Sequence, residues 1–160
     1  MGFILQTGTF ESTLDEKGRV VIPASLRDRY TGKLVITQGK ELCVWVMTSE
    51  IYENLLNKFK KKITEQALSS EEIEAFQYQH ESTAITVEID PKTGRVPIPA
   101  FLRSYSRLEK NCLVVSINNH LEIWNENENR LFMDEVRQIN KNTHKKLLGK
   151  VNFFSNEGDE

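Results

Sequence analysis

One sentence of this chain is written twice. Residues 14–27 read LDEKGRVVIPASLR and residues 89–103 read IDPKTGRVPIPAFLR. Gly18, Arg19, Val20, Ile22, Pro23, Ala24, Leu26 and Arg27 recur as Gly94, Arg95, Val96, Ile98, Pro99, Ala100, Leu102 and Arg103, always 76 positions on. The acid ahead of the glycine recurs as Asp15 and Asp90, only 75 positions apart, so the second copy holds one extra residue in its turn. Such a repeat points to one folding unit duplicated within the chain, each copy too small to bury a core alone. With 160 residues, the copies form either one domain or two small ones sharing a core.

The pattern along each copy alternates strands with turns. Phe10, Ser12 and Leu14 fall on one face of a first strand and Glu11 and Thr13 on the other. Asp15–Gly18 reads as a turn, Arg19–Ile22 as a second strand, and Pro23 as the start of a short helix that Gly32 ends. Lys33–Thr37 and Leu42–Met47 follow as a hairpin around Gln38-Gly39-Lys40. A helix capped by Thr48 or Ser49 then carries Ile51, Leu55, Phe59 and Ile63. The second copy runs in the same order: strand 87–89, turn 90–94, strand 95–98, a helix from Pro99 to near Leu108, a hairpin around Asn118-Asn119, and a helix with Phe132, Val136 and Ile139 on one stripe. Trp45 and Trp124 end equivalent strands 79 positions apart, which places three further residues in the second copy's loops. Ser69 and Glu72 form a capping box that opens a linker helix reaching Gln79. These boundaries give repeats at 8–56 and 84–130, a helical linker at 57–83, and a C-terminal helix and tail at 131–160, the last residues disordered.

Charge is not spread evenly. The chain carries a net −2. Residues 14–33 hold five basic and three acidic side chains, and residues 89–110 hold five and two, so the remainder carries −7. Positive charge is thus concentrated in the repeated segments, which excludes a uniformly basic coat and favours local contacts with an anion. Lys17 and Arg19, with Lys92 and Arg95, stand on tight turns narrow enough to approach a DNA groove. There an arginine fork can meet a guanine edge or a phosphate. Alternatively, Asp15 and Arg19 pair across the turn and merely hold it, with Asp15, Gly18, Asp90 and Gly94 shaping the two turns. Arg27 and Arg103, at the helix ends, suit a phosphate contact, a helix-dipole partner or a salt bridge to the turn acid. Trp45 and Trp124 read as core or subunit interface, and Lys60-Lys61-Lys62 as a solvated helix face.

Enzyme chemistry is not legible. His80, His120 and His144 are scattered without a partner nucleophile or acid, and no phosphate-loop, dinucleotide or zinc motif occurs. No cofactor, metal, membrane or small-molecule substrate is expected. Cys43 and Cys112 lie in apolar strands as buried free thiols, and no signal peptide or membrane-length apolar run is present, which predicts a cytoplasmic protein.

At the turn motifs the chain resembles the MraZ family, within the AbrB/SpoVT/MazE group of swapped-hairpin DNA-binding domains. The family carries two tandem Asp-x-x-x-Arg turns, each followed by a Pro-Ala-x-x-Arg-like helix start. Asp15–Arg19 matches without gaps, Gly8-x-Phe10 is similar to the family's opening, and the likeness runs over roughly residues 3–139. The second turn departs by its inserted residue, which makes Arg95 project differently from Arg19, and Phe76–Ala84 lacks the arginine usual in relatives. The resemblance implies an α+β, β-rich fold: an intramolecularly duplicated swapped-hairpin β-barrel with flanking helices and pseudo-twofold symmetry, assembling into a ring. It implies a nucleoid-associated regulator, a repressor, that binds double-stranded promoter DNA with direct repeats ahead of its own division and cell-wall gene cluster. The alternative within the same group is an antitoxin that binds a toxin protein and regulates its own gene.

Overall fold

A computed structural model describes residues 6–149. Eight strands alternate with helices: β1 (Gly8–Thr13), β2 (Arg19–Val21), a single 3₁₀ turn (Ala24–Leu26), β3 (Lys33–Gln38), β4 (Cys43–Thr48), α1 (Ser49–Thr64), α2 (Ser70–Phe76), a π-helical turn (Gln77–Glu81), β5 (Ile85–Glu88), β6 (Arg95–Pro97), α3 (Ala100–Ser106), β7 (Asn111–Ile117), β8 (His120–Asn125) and α4 (Glu126–Leu147). The architecture is mixed α+β, dominated by antiparallel sheet. Among the described residues the strands form an open six-stranded sheet and a separate two-stranded ribbon, with no closed barrel.

The sheet order, β1-β7-β8-β4-β3-β5, is a palindrome of the repeat. The first strand of each copy pairs with the third strand of the other, β1 with β7 and β5 with β3. Equivalent strands meet in the middle: β4 pairs β8 with Val44 opposite Ile123, and β2 pairs β6 with Val20 opposite Val96. Neither copy could close this sheet alone, because its edge strand lies in the other copy. One hydrophobic cluster fills both, joining Val20, Ile22, Leu26, Leu34 and Ile36 of the first copy to Val96, Ile98, Leu102, Val114 and Ile123 of the second. Sheet and ribbon therefore share a single core, and burying each such side chain contributes about 1.5–3 kcal/mol.

Local chemistry explains most element ends. Thr48 accepts the N–H of Ile51 as the α1 cap, and Ser69 and Glu72 close the expected capping box on α2. The linker helix continues past α2 only as the π-helical turn. Pro23 opens no full helix: one 3₁₀ turn suffices to seat Leu26, and looser turns carry on to Tyr30, both buried. Its counterpart after Pro99 is a true helix, α3, stopped by Arg107 in the left-handed region at φ 55°. The second hairpin turns over two residues with Asn118 at φ 52°, while the first needs residues 39–42. Asn tolerates that left-handed geometry, which makes the tight turn possible. The second hairpin is thus the shorter one, and the second copy's additional residues lie ahead of β7, in the connection through α3: Leu14 N–H bonds Lys110 O where Ile89 N–H bonds Gly32 O. Strand ends and the helix starts that follow match Trp124 to Met47, not to Trp45.

Contacts divide the chain into two units, one running to Glu126 and one from Asn127. In the second, α4 carries the stripe of Phe132, Val136 and Ile139 and extends beyond Asn140 to Leu147. The expected disorder of the final residues falls outside the described part. No described helix is long and apolar enough to cross a membrane.

Candidate nucleic-acid interface

The two turns close in the same way despite their different lengths. In the first, Gly18 N–H reaches Asp15 O at 3.0 Å, and in the second Gly94 N–H reaches Asp90 O at 2.8 Å, one residue further along. The hairpin mouths match: Asp15 N–H donates to Arg19 O and Asp90 N–H to Arg95 O, each at 2.9 Å. The inserted residue is absorbed inside the turn, and β2 and β6 stay in register.

That register sets the site. Alternation along the ribbon sends Val20 and Val96 into the core, both fully buried. Arg19 and Arg95 take the opposite face, diagonal to one another because Arg19 stands opposite Pro97 and Arg95 opposite Val21. Diagonal same-face neighbours lie about 7–8 Å apart. Arg19 and Arg95, one from each copy, therefore share a face of the ribbon, and Lys17 and Lys92 are exposed on the turns that lead into it.

Hydrogen bonding differs between the copies. Asp15 Oδ1 accepts the N–H groups of Lys17 (3.0 Å) and Arg19 (2.9 Å), and Oδ2 accepts Nε of Arg19 at 2.8 Å. The N–H of Arg19, then its side chain, hold the Asp15 carboxyl below the usual range. The expected Asp15–Arg19 pair exists, and it also reaches across the repeat: Nε of Arg95 lies 3.4 Å from the same Oδ2. That Nε is shielded from solvent without a hydrogen-bond acceptor. Asp90 instead accepts the N–H groups of Lys92 (2.9 Å) and Thr93 (3.3 Å), which lower its pKa. Thr93 Oγ1 takes over the N–H of Arg95 at 3.4 Å. Sequence reading missed this threonine; its place two residues before the arginine of the longer turn was the available signal.

Arg103 stands in the last turn of α3, the position of a helix-dipole partner, and among the described residues neither it nor Arg27 pairs with a turn acid. Arg27 Nε donates to Ile22 O at 2.9 Å and Arg103 Nη1 to Ile98 O at 2.7 Å. Each guanidinium lies over the turn glycine of the other copy. A Cβ on Gly18 would sit 2.8 Å from Cζ of Arg103 and closer still to Nη1, and one on Gly94 would sit 2.5 Å from Cζ of Arg27. Both glycines also hold positive φ, 78° and 71°, so each is required twice over. The backbone adds a matching crosslink, Ile22 N–H to Gly94 O at 2.8 Å and Ile98 N–H to Gly18 O at 2.9 Å.

A second cluster lies at the β4–β8 seam. Glu122 accepts the indole N–H groups of Trp45 (3.1 Å) and Trp124 (3.0 Å), and lies 3.0 Å from Nε2 of His120. Burial pushes the Glu122 pKa up, but these bonds outweigh it and hold the group below its ordinary value. His120 and Glu122 stand two apart on a strand and so share a face; this pair corrects the expectation that no histidine has an acidic partner. His80 stacks on Trp45 with centroids 4.7 Å apart. Trp124 is buried, while Trp45 borders a hollow of about 210 Å³ with Met47, Ile51 and Leu55. Cys43 and Cys112 are buried free thiols, and burial pushes Cys112 up to about 11. Among the described residues no group of three or more His, Cys, Asp or Glu could hold a metal ion.

Fold and turns together define a duplicated β protein whose two copies complete one another's sheet and present paired basic turns. The family model described as "MraZ protein, putative antitoxin-like" matches residues 5–73 and 82–150. The chain belongs to the MraZ family. It is similar to the transcriptional regulator MraZ of Ligilactobacillus salivarius, 35% identical over 82% of this chain and 88% of the relative. It is also similar to the proteins of that name from Saccharopolyspora erythraea (36% identical, 80% and 86% covered) and Lactiplantibacillus plantarum (37%, 73% and 79%).

Proposed function

We propose that this protein is a transcriptional regulator that binds double-stranded DNA in a sequence-specific way through the ribbon face. The observation that carries the reading is the sharing of one ribbon face by Arg19 and Arg95, with Lys17 and Lys92 exposed on the adjoining turns, in a chain with a net charge of −2. Arg19 and Arg95 contact bases, Lys17 and Lys92 contact phosphate, and Arg27 and Arg103 reach the backbone from behind the turns while bracing them. Asp15, Gly18, Asp90 and Gly94 shape the turns. Repeats at 8–56 and 84–130 build the swapped-hairpin unit internally, joined by 57–83 and followed by 131–160. The exchanged pairing of β1 and β5 supports that reading.

A ring of such chains gives each weak contact added affinity through multivalency, and suits direct repeats spaced by a helical turn. The site then acts as a repressor of the protein's own promoter at the head of a division and cell-wall gene cluster, in the cytoplasm at the nucleoid. The names of the relatives support regulation of transcription. The test is binding of the full-length protein to the DNA upstream of its own gene at two salt concentrations. Affinity that falls steeply with salt and exceeds that for unrelated DNA is expected; no salt-sensitive affinity would remove the reading.

A further inference from the structure

Asp15 stands where a DNA-binding face has least use for it, a carboxylate in the middle of a surface that meets a polyanion. The turn itself needs only Oδ1, which takes the N–H groups of Lys17 and Arg19. Oδ2 has a different task. It accepts Nε of Arg19 at 2.8 Å and lies 3.4 Å from Nε of Arg95, an arginine of the other repeat. The second turn does not reproduce this. Its longer backbone directs Asp90 onto Lys92 and Thr93, and among the described residues Asp90 closes no ion pair.

A guanidinium offers two edges to a pair of acceptors: a side edge made of Nε and one Nη, and an end edge made of both Nη groups. Phosphate can take either. The O6 and N7 of guanine suit the fork at the end. Nε of Arg19 is bonded to the carboxylate, and Nε of Arg95 lies 3.4 Å from the same oxygen, closed off from solvent without a hydrogen bond, so both side edges are withheld and the end edges are what remains. The carboxylate also repels a phosphate that approaches from the side, a built-in element against the wrong partner.

We infer that Asp15 is a specificity-determining residue: it joins Arg19 and Arg95, one from each repeat, into a single pair of end-on forks and discourages side-on binding of the DNA backbone. The inference rests on the DNA-binding reading above and assigns that site its selectivity. It makes the two repeats one reading head, with an unequal division of labour imposed by the single residue inserted in the second turn.

The test is fluorescence anisotropy of the full-length protein with two duplexes: the DNA upstream of its own gene, and a scrambled duplex of the same length and composition. Asp15→Asn keeps an Oδ1 for the N–H groups of Lys17 and Arg19 but removes the charge. It should bind the scrambled duplex more tightly than the native protein does, and its preference for the upstream DNA should fall about tenfold, the low end of what one bidentate base contact discriminates. Equal weakening of Asp15→Asn on both duplexes, or an unchanged preference, would overturn the inference. Arg95→Lys keeps the charge and lacks the fork, so it should lose preference while retaining the scrambled duplex. An equal effect of Arg95→Lys on both duplexes would overturn the inference even if Asp15→Asn fails to fold. A native protein that binds neither duplex would instead bring down the DNA-binding reading itself.

Discussion

The guanidinium of Arg103 lies on Gly18, a residue of the other repeat, in the space where a side chain would begin. Arg27 and Gly94 repeat the relationship in the opposite sense. Each basic turn is thus positioned by the repeat to which it does not belong. Replacing Gly18 by alanine strains a residue held at φ 78° and displaces Arg103. Gly18→Ala should lower the unfolding free energy by about 2–3 kcal/mol. Gly32→Ala is the control: its φ is 67° but nothing lies within 4 Å of the added methyl, so it should lose only about 1 kcal/mol. Urea denaturation of the two variants distinguishes steric from purely conformational demand.

Leu26 and Leu102 are equivalent residues, both fully buried in one shared core. Truncation of either to alanine should destabilise by about 2–5 kcal/mol. Because the core joins both repeats, each variant should unfold in a single transition. Two separated transitions in a denaturant titration would show that the repeats fold independently.

His80 is buried against Trp45 and Phe76, and burial pushes its pKa below the ordinary 6.5, against the opposing bond to Gln38 O. Below pH 6.5 the unfolded chain takes up a proton that the folded one resists. Stability should therefore decline as pH falls from that value and level off below the depressed folded pKa. His80→Phe keeps a stacked ring and removes the proton, so it should flatten this part of the profile. Denaturation midpoints of both proteins on either side of pH 6.5 provide the check.

Much of the site was legible in the sequence because its signals are local. The glycines demanded turns, the β-branched runs gave the ribbon strands, and Ser69 with Glu72 fixed a helix start. Partners distant in sequence were not legible. Alternation shows that Phe10 faces inward but not that its strand lies against Val114, since period says nothing about which edge a strand joins. The placement of Arg27 and Arg103 over the other copy's glycines depended on that same long-range pairing, whereas the structural alternatives open from sequence, a helix dipole or the turn acid, were contacts within one copy. The two tryptophans misled the residue count: Trp124 takes the place of Met47, and the extra residues lie ahead of β7, because a repeated residue type does not fix the register of a strand.

The central claim is that the ribbon arginines read DNA, and Arg19→Ala tests it most directly. Its guanidinium pairs with Asp15 in a partly exposed ion pair, and pairs that solvent still reaches contribute little to folding, so the variant should remain folded. Measured by gel shift against the DNA upstream of the gene, with thermal unfolding and self-association monitored in parallel, the expected result is a loss of at least tenfold in affinity, compounded where several chains bind together. Unchanged affinity in a folded, normally assembled Arg19→Ala protein would contradict the claim.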